Sequence, residues 1–161
     1  MDFGTLLETL ELSSLAGAMK HSLWLYPIVE IVHIAGFALL VGTVAAFDLR
    51  LLGFARSTSI RALERSLLPW AWIAFLFIVP SGAAMFSAHA VDFASNPAFR
   101  VKLLLLLAAG LNALLFHAGV FRSVSAWDQH VPTPRAAKLS AALSLGIWAG
   151  VISCGRLIAY L

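Results

Sequence analysis

Charged residues are scarce in this chain, and their scarcity excludes an ordinary soluble domain. Of its 161 residues only 12% are charged, whereas 61% are hydrophobic. A soluble domain carries about 25% charged residues, so the deficit is what a lipid-facing surface requires. The single cysteine, Cys154, lies in an apolar stretch. It excludes an internal disulfide and indicates no redox compartment.

Motifs typical of several soluble protein classes are also missing. The sequence has no nucleophile elbow, phosphate-binding loop or zinc-protease pattern, so we expect neither a conventional hydrolase nor a kinase; whether the protein is an enzyme stays open. The net charge is +3, but no basic stripe alternates with aromatic residues, which argues against a nucleic-acid partner. No basic region precedes the first apolar segment, so we expect no cleavable signal peptide and insertion directed by the first spanning helix.

The sequence has instead four long apolar segments. Each is near the roughly 20 residues that a helix needs to cross about 30 Å of hydrocarbon. The segments are continuous rather than alternating, which favours helices over a barrel. We therefore predict an all-α integral membrane four-helix bundle, with the lipid bilayer as its first partner, in a single domain of residues 1–161. The predicted spans are residues 23–47, 67–86, 103–121 and 139–161.

The residues before the first span combine apolar and acidic side chains at helical spacing. This pattern predicts a short amphipathic helix that lies on the outer membrane face. A poorly ordered N-terminal tail is the alternative. The apolar residues of the pattern are Phe3, Leu6, Leu7, Leu10 and Leu15.

Basic residues are divided unequally between the two sides of the predicted bundle. Cytoplasmic loops carry the excess of Lys and Arg, so we place the first and third loops in the cytoplasm. Both termini are then predicted to lie outside the cytoplasm, in a protein of the bacterial inner membrane. The basic residues of these loops are Arg50, Arg56, Arg61, Arg65, Arg122, Arg135 and Lys138, against Lys20, Arg100 and Lys102 on the other side.

Three ionisable residues lie inside the apolar segments, where such a side chain costs several kcal/mol unless it is paired, hydrated or neutralised. Glu30 and His33 are three residues apart and share a helical face. At about 1.5 Å per residue, Arg156 of the fourth segment lies at the depth of Glu30. We predict a Glu30–Arg156 ion pair in the bundle, with Asn112 of the third segment at the level of His33.

This polar group supports two interpretations. In the first, Glu30 and Arg156 form a structural clamp, and His33 is their hydrogen-bonding neighbour. In the second, Glu30, His33, Asn112 and Arg156 form a site open to the outer side that binds haem, a metal ion or a small anion. Glu-x-x-His is a known metal-site spacing in four-helix bundles, although a di-iron site needs a second copy that this chain lacks.

The other histidines bear on the second interpretation. His21 and His89 fall at the outer ends of the first two segments and could join His33 in an imidazole cluster suited to copper or haem; the alternative is that each is an ordinary interfacial histidine. His117 lies near the cytoplasmic end, about 11 Å from the depth of His33. We therefore do not expect these two to share one iron unless the helices shift or tilt considerably. Haem b held by one axial histidine, with an open or different sixth ligand, stays open as an alternative.

Four motifs resemble those of a family of small bacterial four-helix inner-membrane proteins known only as a domain of unknown function. The resemblance spans nearly the whole chain and implies the fold and the location, but no activity, ligand or catalytic residue. More distantly, the chain is similar to small b-type membrane cytochromes, without clearly meeting their paired-histidine arrangement. The motifs are Trp24-Leu25-Tyr26-Pro27 with Glu30 and His33, Asp48-Leu49-Arg50-Leu51-Leu52-Gly53, Phe99-Arg100-Val101-Lys102 leading to Asn112, and Gly155-Arg156-Leu157-Ile158-Ala159-Tyr160.

The sequence thus predicts a multi-pass inner-membrane protein with a buried polar site near its outer face. The favoured function is binding of haem or a metal ion in a redox-related role, with a membrane or periplasmic redox partner and a homo-oligomer as further partners. Two alternatives stay open. One is an accessory or structural subunit without a cofactor, and the other is a small oligomeric transporter.

Overall fold

The computed structural model describes residues 2–161, and these residues form an all-helical protein. Four of the helices are long and apolar enough to cross a membrane, which confirms the predicted fold class of a four-helix membrane protein. In chain order the helices are α1 (Phe3–Glu11), α2 (Ser14–His21), α3 (Leu25–Leu52), α4 (Ile60–Ala88), α5 (Ala90–Ser95), α6 (Pro97–Ala118) and α7 (Arg135–Leu157), with a 3-10 helix (Val120–Ala126) between the last two. The membrane-spanning candidates are α3, α4, α6 and α7.

The long helices begin and end at capping residues rather than at the limits of hydropathy. α4 starts before its predicted span because the Ser59 side chain accepts a hydrogen bond from the Ala62 amide, which satisfies one of the free N–H groups of the first turn. Asn96 caps α6 in the same way, with Pro97 at the first helical position. α3 ends at Gly53, whose φ of +115° is the left-handed geometry that favours glycine.

The four long helices pack in the order α4–α3–α7–α6. α3 packs along both α4 and α7, and α6 packs along α7. Within residues 2–161, α4 and α6 do not form a packed helix pair. The bundle is therefore open between these two helices over the middle of its length, and other elements join them at the two ends.

At one end lie the α3–α4 loop (53–59) and the α6–α7 connection (119–134); we call it the two-loop end. A buried apolar cluster closes the bundle there and holds all four long helices together. The burial of these side chains supplies the main stabilisation at this end, as expected for apolar surface removed from solvent or lipid into a packed interior. The cluster consists of Leu51, Ile60, Phe116, Val124, Trp127, Ala137 and Ala141.

Arg50 ties the two loops together beside this cluster. Arg50 is only 2% exposed, and its guanidinium group donates hydrogen bonds to three backbone carbonyl oxygens. Nε lies 2.7 Å from the Thr58 oxygen, and Nη2 lies 2.9 Å from the Asp128 oxygen and 3.2 Å from the Arg56 oxygen. One side chain of α3 thus fixes both connections of the two-loop end.

The carboxylate of Asp128 strengthens the same junction. It accepts hydrogen bonds from Ser59 Oγ at 2.8 Å and from the Arg61 amide at 2.9 Å, at the start of α4. Burial raises the pKa of Asp128, but the hydrogen bonds from Arg61 and Ser59 outweigh it and hold the pKa below its usual range. The ionised carboxylate is also favourable at a helix N-terminus.

The opposite end of the bundle, which we call the terminal end, carries α1, α2, α5 and both ends of the chain. The predicted N-terminal amphipathic helix is present, but it is divided into two helices because Ser13 caps a new helix with a bond from the Ala16 amide. α2 buries Ala16 and Met19 completely or almost so as it packs on α4. α1 buries no residue and exposes Phe3 and Leu6, as an interfacial helix does.

Glu11 holds the N-terminal helices to the turn after α4. Its carboxylate accepts from the Val91 amide at 2.8 Å and pairs with Lys20 Nζ at 3.2 Å. The Val91 hydrogen bond, followed by the bond from Lys20, lowers the pKa of Glu11. Beside it, the stacked rings of Phe86, Phe93 and Phe99 join α4, α5 and α6, so the gap between α4 and α6 is covered at this end.

Candidate functional site

His33 lies on α3 and is held by α4. Its ring is half-buried, and Nδ1 lies 2.9 Å from Ser81 Oγ. The Ser81 hydroxyl also bonds to backbone carbonyls of its own helix, those of Phe77 and Ile78. A hydroxyl has one proton to donate, and carbonyls only accept, so the proton between the ring and Ser81 belongs to Nδ1. His33 is therefore fixed with Nδ1 as donor and with the lone pair on Nε2.

No hydrogen bond to Nε2 of His33 is found within residues 2–161. Nε2 is thus a half-buried, unpaired base whose orientation is set by the bond on the other side of the ring. Metal-ligating histidines have this arrangement, with the second nitrogen donating to a neighbouring acceptor.

Gly82 gives the ring its place on α4. A Cβ at this position would lie 3.1 Å from His33 Cε1, which is tighter than most Cβ contacts. Gly82, which follows Ser81, therefore has no side chain at the point where the imidazole ring lies against α4. Ser81 is therefore the hydrogen-bond partner of His33, and Gly82 leaves the space in which the imidazole ring packs against α4.

Lys102 lies in the same half of the bundle, although its place in the sequence indicated only a role in orientation and in one of the four motifs. It is half-buried on α6, with Nζ 3.8 Å from the position of a Cβ on Gly155 of α7. Its charge lies within electrostatic range of both His33 and Cys154. Within the described residues it forms no hydrogen bond and no ion pair.

All four long helices therefore contribute a polar group to the terminal-end half of the bundle. They are His33, Ser81, Lys102 and Cys154, which we call the His33 site. The signal that could have identified Lys102 is its position directly before the third predicted span, where the structure extends the helix back to Pro97 and an unpaired ammonium in an apolar helix is costly.

The predicted Glu30–Arg156 ion pair is wrong. Arg156 donates from Nη2 to Tyr160 Oη at 2.7 Å, and its guanidinium carbon lies 5.0 Å from the centroid of the same ring. Glu30 and Arg156 are both exposed, and the ion pairs within residues 2–161 join other side chains. Tyr160, one turn further along, offers both a hydroxyl and an aromatic face, so the guanidinium has a local partner and does not reach across to α3.

The placement of Asn112 beside His33 is also wrong. Its Nδ2 donates to the Ser140 carbonyl at 3.0 Å, and its Oδ1 accepts from Ser140 Oγ at 3.0 Å. Ser140 lies in the first turns of α7 at the two-loop end, away from His33. The amide is satisfied by one residue of α7, and it acts as a clamp between α6 and α7.

The predicted cluster of His21, His33 and His89 is not assembled. Within residues 2–161 no group of three or more His, Cys, Asp or Glu side chains is placed to hold a metal ion. His89 instead packs edge-on against Tyr26 with ring centroids 6.3 Å apart, and His21 is exposed at the end of α2. His117 is exposed at the end of α6, with Nδ1 2.9 Å from a carbonyl of its own helix, and does not share a site with His33.

These observations define a multi-pass membrane protein with four candidate spanning helices, two of which are joined by the His33–Ser81 hydrogen bond. Comparison of the chain with protein-family models, with curated proteins and with solved structures gives no match. The resemblance of its four motifs to a family of unknown function stays a prediction.

Proposed function

We propose that this protein belongs to the bacterial inner membrane and binds haem b through Nε2 of His33, in a redox-related role. The observation that carries the proposal is the Ser81 hydrogen bond, which keeps the proton on Nδ1 and leaves the Nε2 lone pair free. This is the preorganised second-shell geometry of a ligating imidazole. In this role the protein exchanges electrons with a membrane or periplasmic partner.

Haem fits the site better than copper does. A porphyrin supplies four nitrogen ligands of its own, so one protein imidazole is sufficient to hold the iron. A bare copper ion needs several protein ligands, and residues 2–161 bring no three suitable side chains together. A single oriented histidine therefore favours haem.

Lys102 supports the same ligand class. Its ammonium is half-buried and has no protein partner in the described chain, and it lies within electrostatic range of His33. A partly desolvated cation is stabilised by an opposite charge. The carboxylates of haem b supply such a charge at a short distance from the iron.

The proposal is tested on the full chain purified in mild detergent, with and without added haem during expression. We expect a Soret band and one haem per chain by the pyridine haemochrome assay, with matching iron and no copper by mass spectrometry. Stoichiometric copper without a Soret band would show that the ligand class is wrong. Absence of both under haem-replete expression and after titration with haem would favour an accessory subunit without a cofactor.

The proposed orientation makes a prediction of its own. Because the basic residues are concentrated in the first and third loops, both termini are expected outside the cytoplasm. An alkaline phosphatase fusion after Leu161 should be active, and a green fluorescent protein fusion there should be dark. Fusions after Ser57, in the first loop, should behave in the opposite way. A fluorescent C-terminal fusion would overturn the orientation and would place the His33 site near the cytoplasmic face.

A further inference from the structure

Asp48 is a buried acid in α3 that the haem proposal does not use. The residue is 5% exposed and lies near the two-loop end, far along α3 from His33. Its Oδ2 atom is shut off from the surface and has no hydrogen-bond partner. Neither ion pair found within residues 2–161 involves it.

The elements packed around Asp48 offer it a hydroxyl but no cation. Ser144 of α7, itself buried, is the hydroxyl close to the carboxyl group, although the two side chains are not joined by a hydrogen bond within residues 2–161. Arg50 is two residues further on and faces the loops, where its guanidinium donates to backbone carbonyls. None of the charged or titratable residues in the two-loop-end halves of the surrounding helices forms an ion pair with Asp48. These residues are Arg61, Glu64 and Arg65 on α4, His117 on α6, Arg122 in the 3-10 helix, and Arg135 and Lys138 on α7.

An ionised carboxylate in this position would have no countercharge, and its Oδ2 atom would have neither solvent contact nor a hydrogen-bond donor. Burying such an ion costs far more than burying the neutral acid, and in practice the group takes up a proton instead. We infer that Asp48 is a proton-binding site, and that its side chain is a neutral carboxylic acid wherever α3 and α7 are packed together.

The proton balance of the site is simple. Deprotonation breaks the O–H bond of the Asp48 acid, releases the proton to water and leaves a negative charge between α3 and α7. That charge opposes the packing of the two helices at this point. Proton release and separation of α3 from α7 are therefore coupled, independently of whether His33 binds a cofactor.

Infrared spectroscopy of the full chain in lipid at neutral pH tests the inference. The wild-type protein should show the carbonyl stretch of a protonated carboxylic acid, which shifts in D₂O and disappears in Asp48→Asn. Asparagine has nearly the shape of the neutral acid, so this variant should fold. The matched control is Asp128→Asn, which should lose a carboxylate band instead, because Asp128 accepts hydrogen bonds as an anion.

A second measurement needs no variant. The chain contains four aspartates, Asp2, Asp48, Asp92 and Asp128. If the protonated acid is an aspartate, its carbonyl stretch should move to lower frequency in wild-type protein that is labelled with ¹³C at the aspartate carboxyl carbon. If the labelled protein shows no aspartic acid band at neutral pH, or if Asp48→Asn loses a carboxylate band and leaves the acid region unchanged, then Asp48 is ionised and the inference is wrong.

Discussion

His33→Ala is expected to abolish haem binding while the protein still inserts and folds. The substitution removes the one imidazole whose Nε2 is free and oriented, and no second histidine lies in the His33 site. The helix survives because alanine is a strong helix former and the ring is only half-buried. The measurement is the haem-to-protein ratio of the purified variant, with circular dichroism and size-exclusion chromatography as checks on the fold.

Two matched variants separate ligation from general damage. His117→Ala removes an exposed histidine at the other end of the bundle and should retain the full haem content. Ser81→Ala keeps the ligand but removes the group that fixes its proton, and should weaken haem affinity by about 10–100-fold, the usual effect of losing a second-shell partner. Equal loss of haem in the two histidine variants would show that the site is shared, and full occupancy in His33→Ala would disprove ligation by His33.

Arg50→Lys is expected to destabilise the protein by about 2–4 kcal/mol, although the charge of the two-loop end is unchanged. The guanidinium donates from Nε and Nη2 in fixed directions to Thr58, Arg56 and Asp128, and an ammonium cannot reproduce this fork. Each hydrogen bond from a charged donor contributes about 1.5–3 kcal/mol, and the part-buried carbonyl oxygens lose the donor that Arg50 supplies. Thermal or denaturant unfolding in detergent measures the change.

The matched control is Arg65→Lys. Arg65 is exposed on α4, so this substitution should change the free energy of unfolding by about 0.5 kcal/mol or less. Lysine preserves the positive charge in both variants, so neither should alter the orientation in the membrane. Equal stability of the two variants would mean that Arg50 does not hold the loops together. The expected difference assigns a structural role to the arginine of the Asp48–Gly53 motif.

Hydropathy, loop punctuation and capping residues in the sequence are sufficient to predict the four helices. A backbone in lipid must satisfy its own hydrogen bonds, so a long apolar segment has almost no alternative to a helix. Local side chains such as Ser59 and Asn96 then set where a helix begins, and Gly53 sets where one ends. These are contacts between residues close in the chain, and they are visible in the sequence.

The residues that form the His33 site could be predicted only in part from the sequence. Placing His33 inside the first span and treating it as significant needs only the apolar residues around it. Its partner is Ser81, however, 48 positions away, and the sequence offered Glu30, Arg156 and Asn112 as equally reasonable neighbours. Depth along each helix was calculable at about 1.5 Å per residue, but equal depth does not mean contact.

The class of protein, the number and approximate positions of its spans, and the presence of ionisable groups within them all follow from the order of the amino acids. Which of those groups are in contact depends on the packing of the helices. The helices pack in the order α4–α3–α7–α6, and each has a particular rotation about its axis. This arrangement directs His33 towards Ser81, buries Asp48 and leaves Arg156 to interact with Tyr160 of its own chain segment. These quantities depend on how all the side chains pack at once, because several helix rotations bury apolar surface almost equally well and the choice among them is made by close packing.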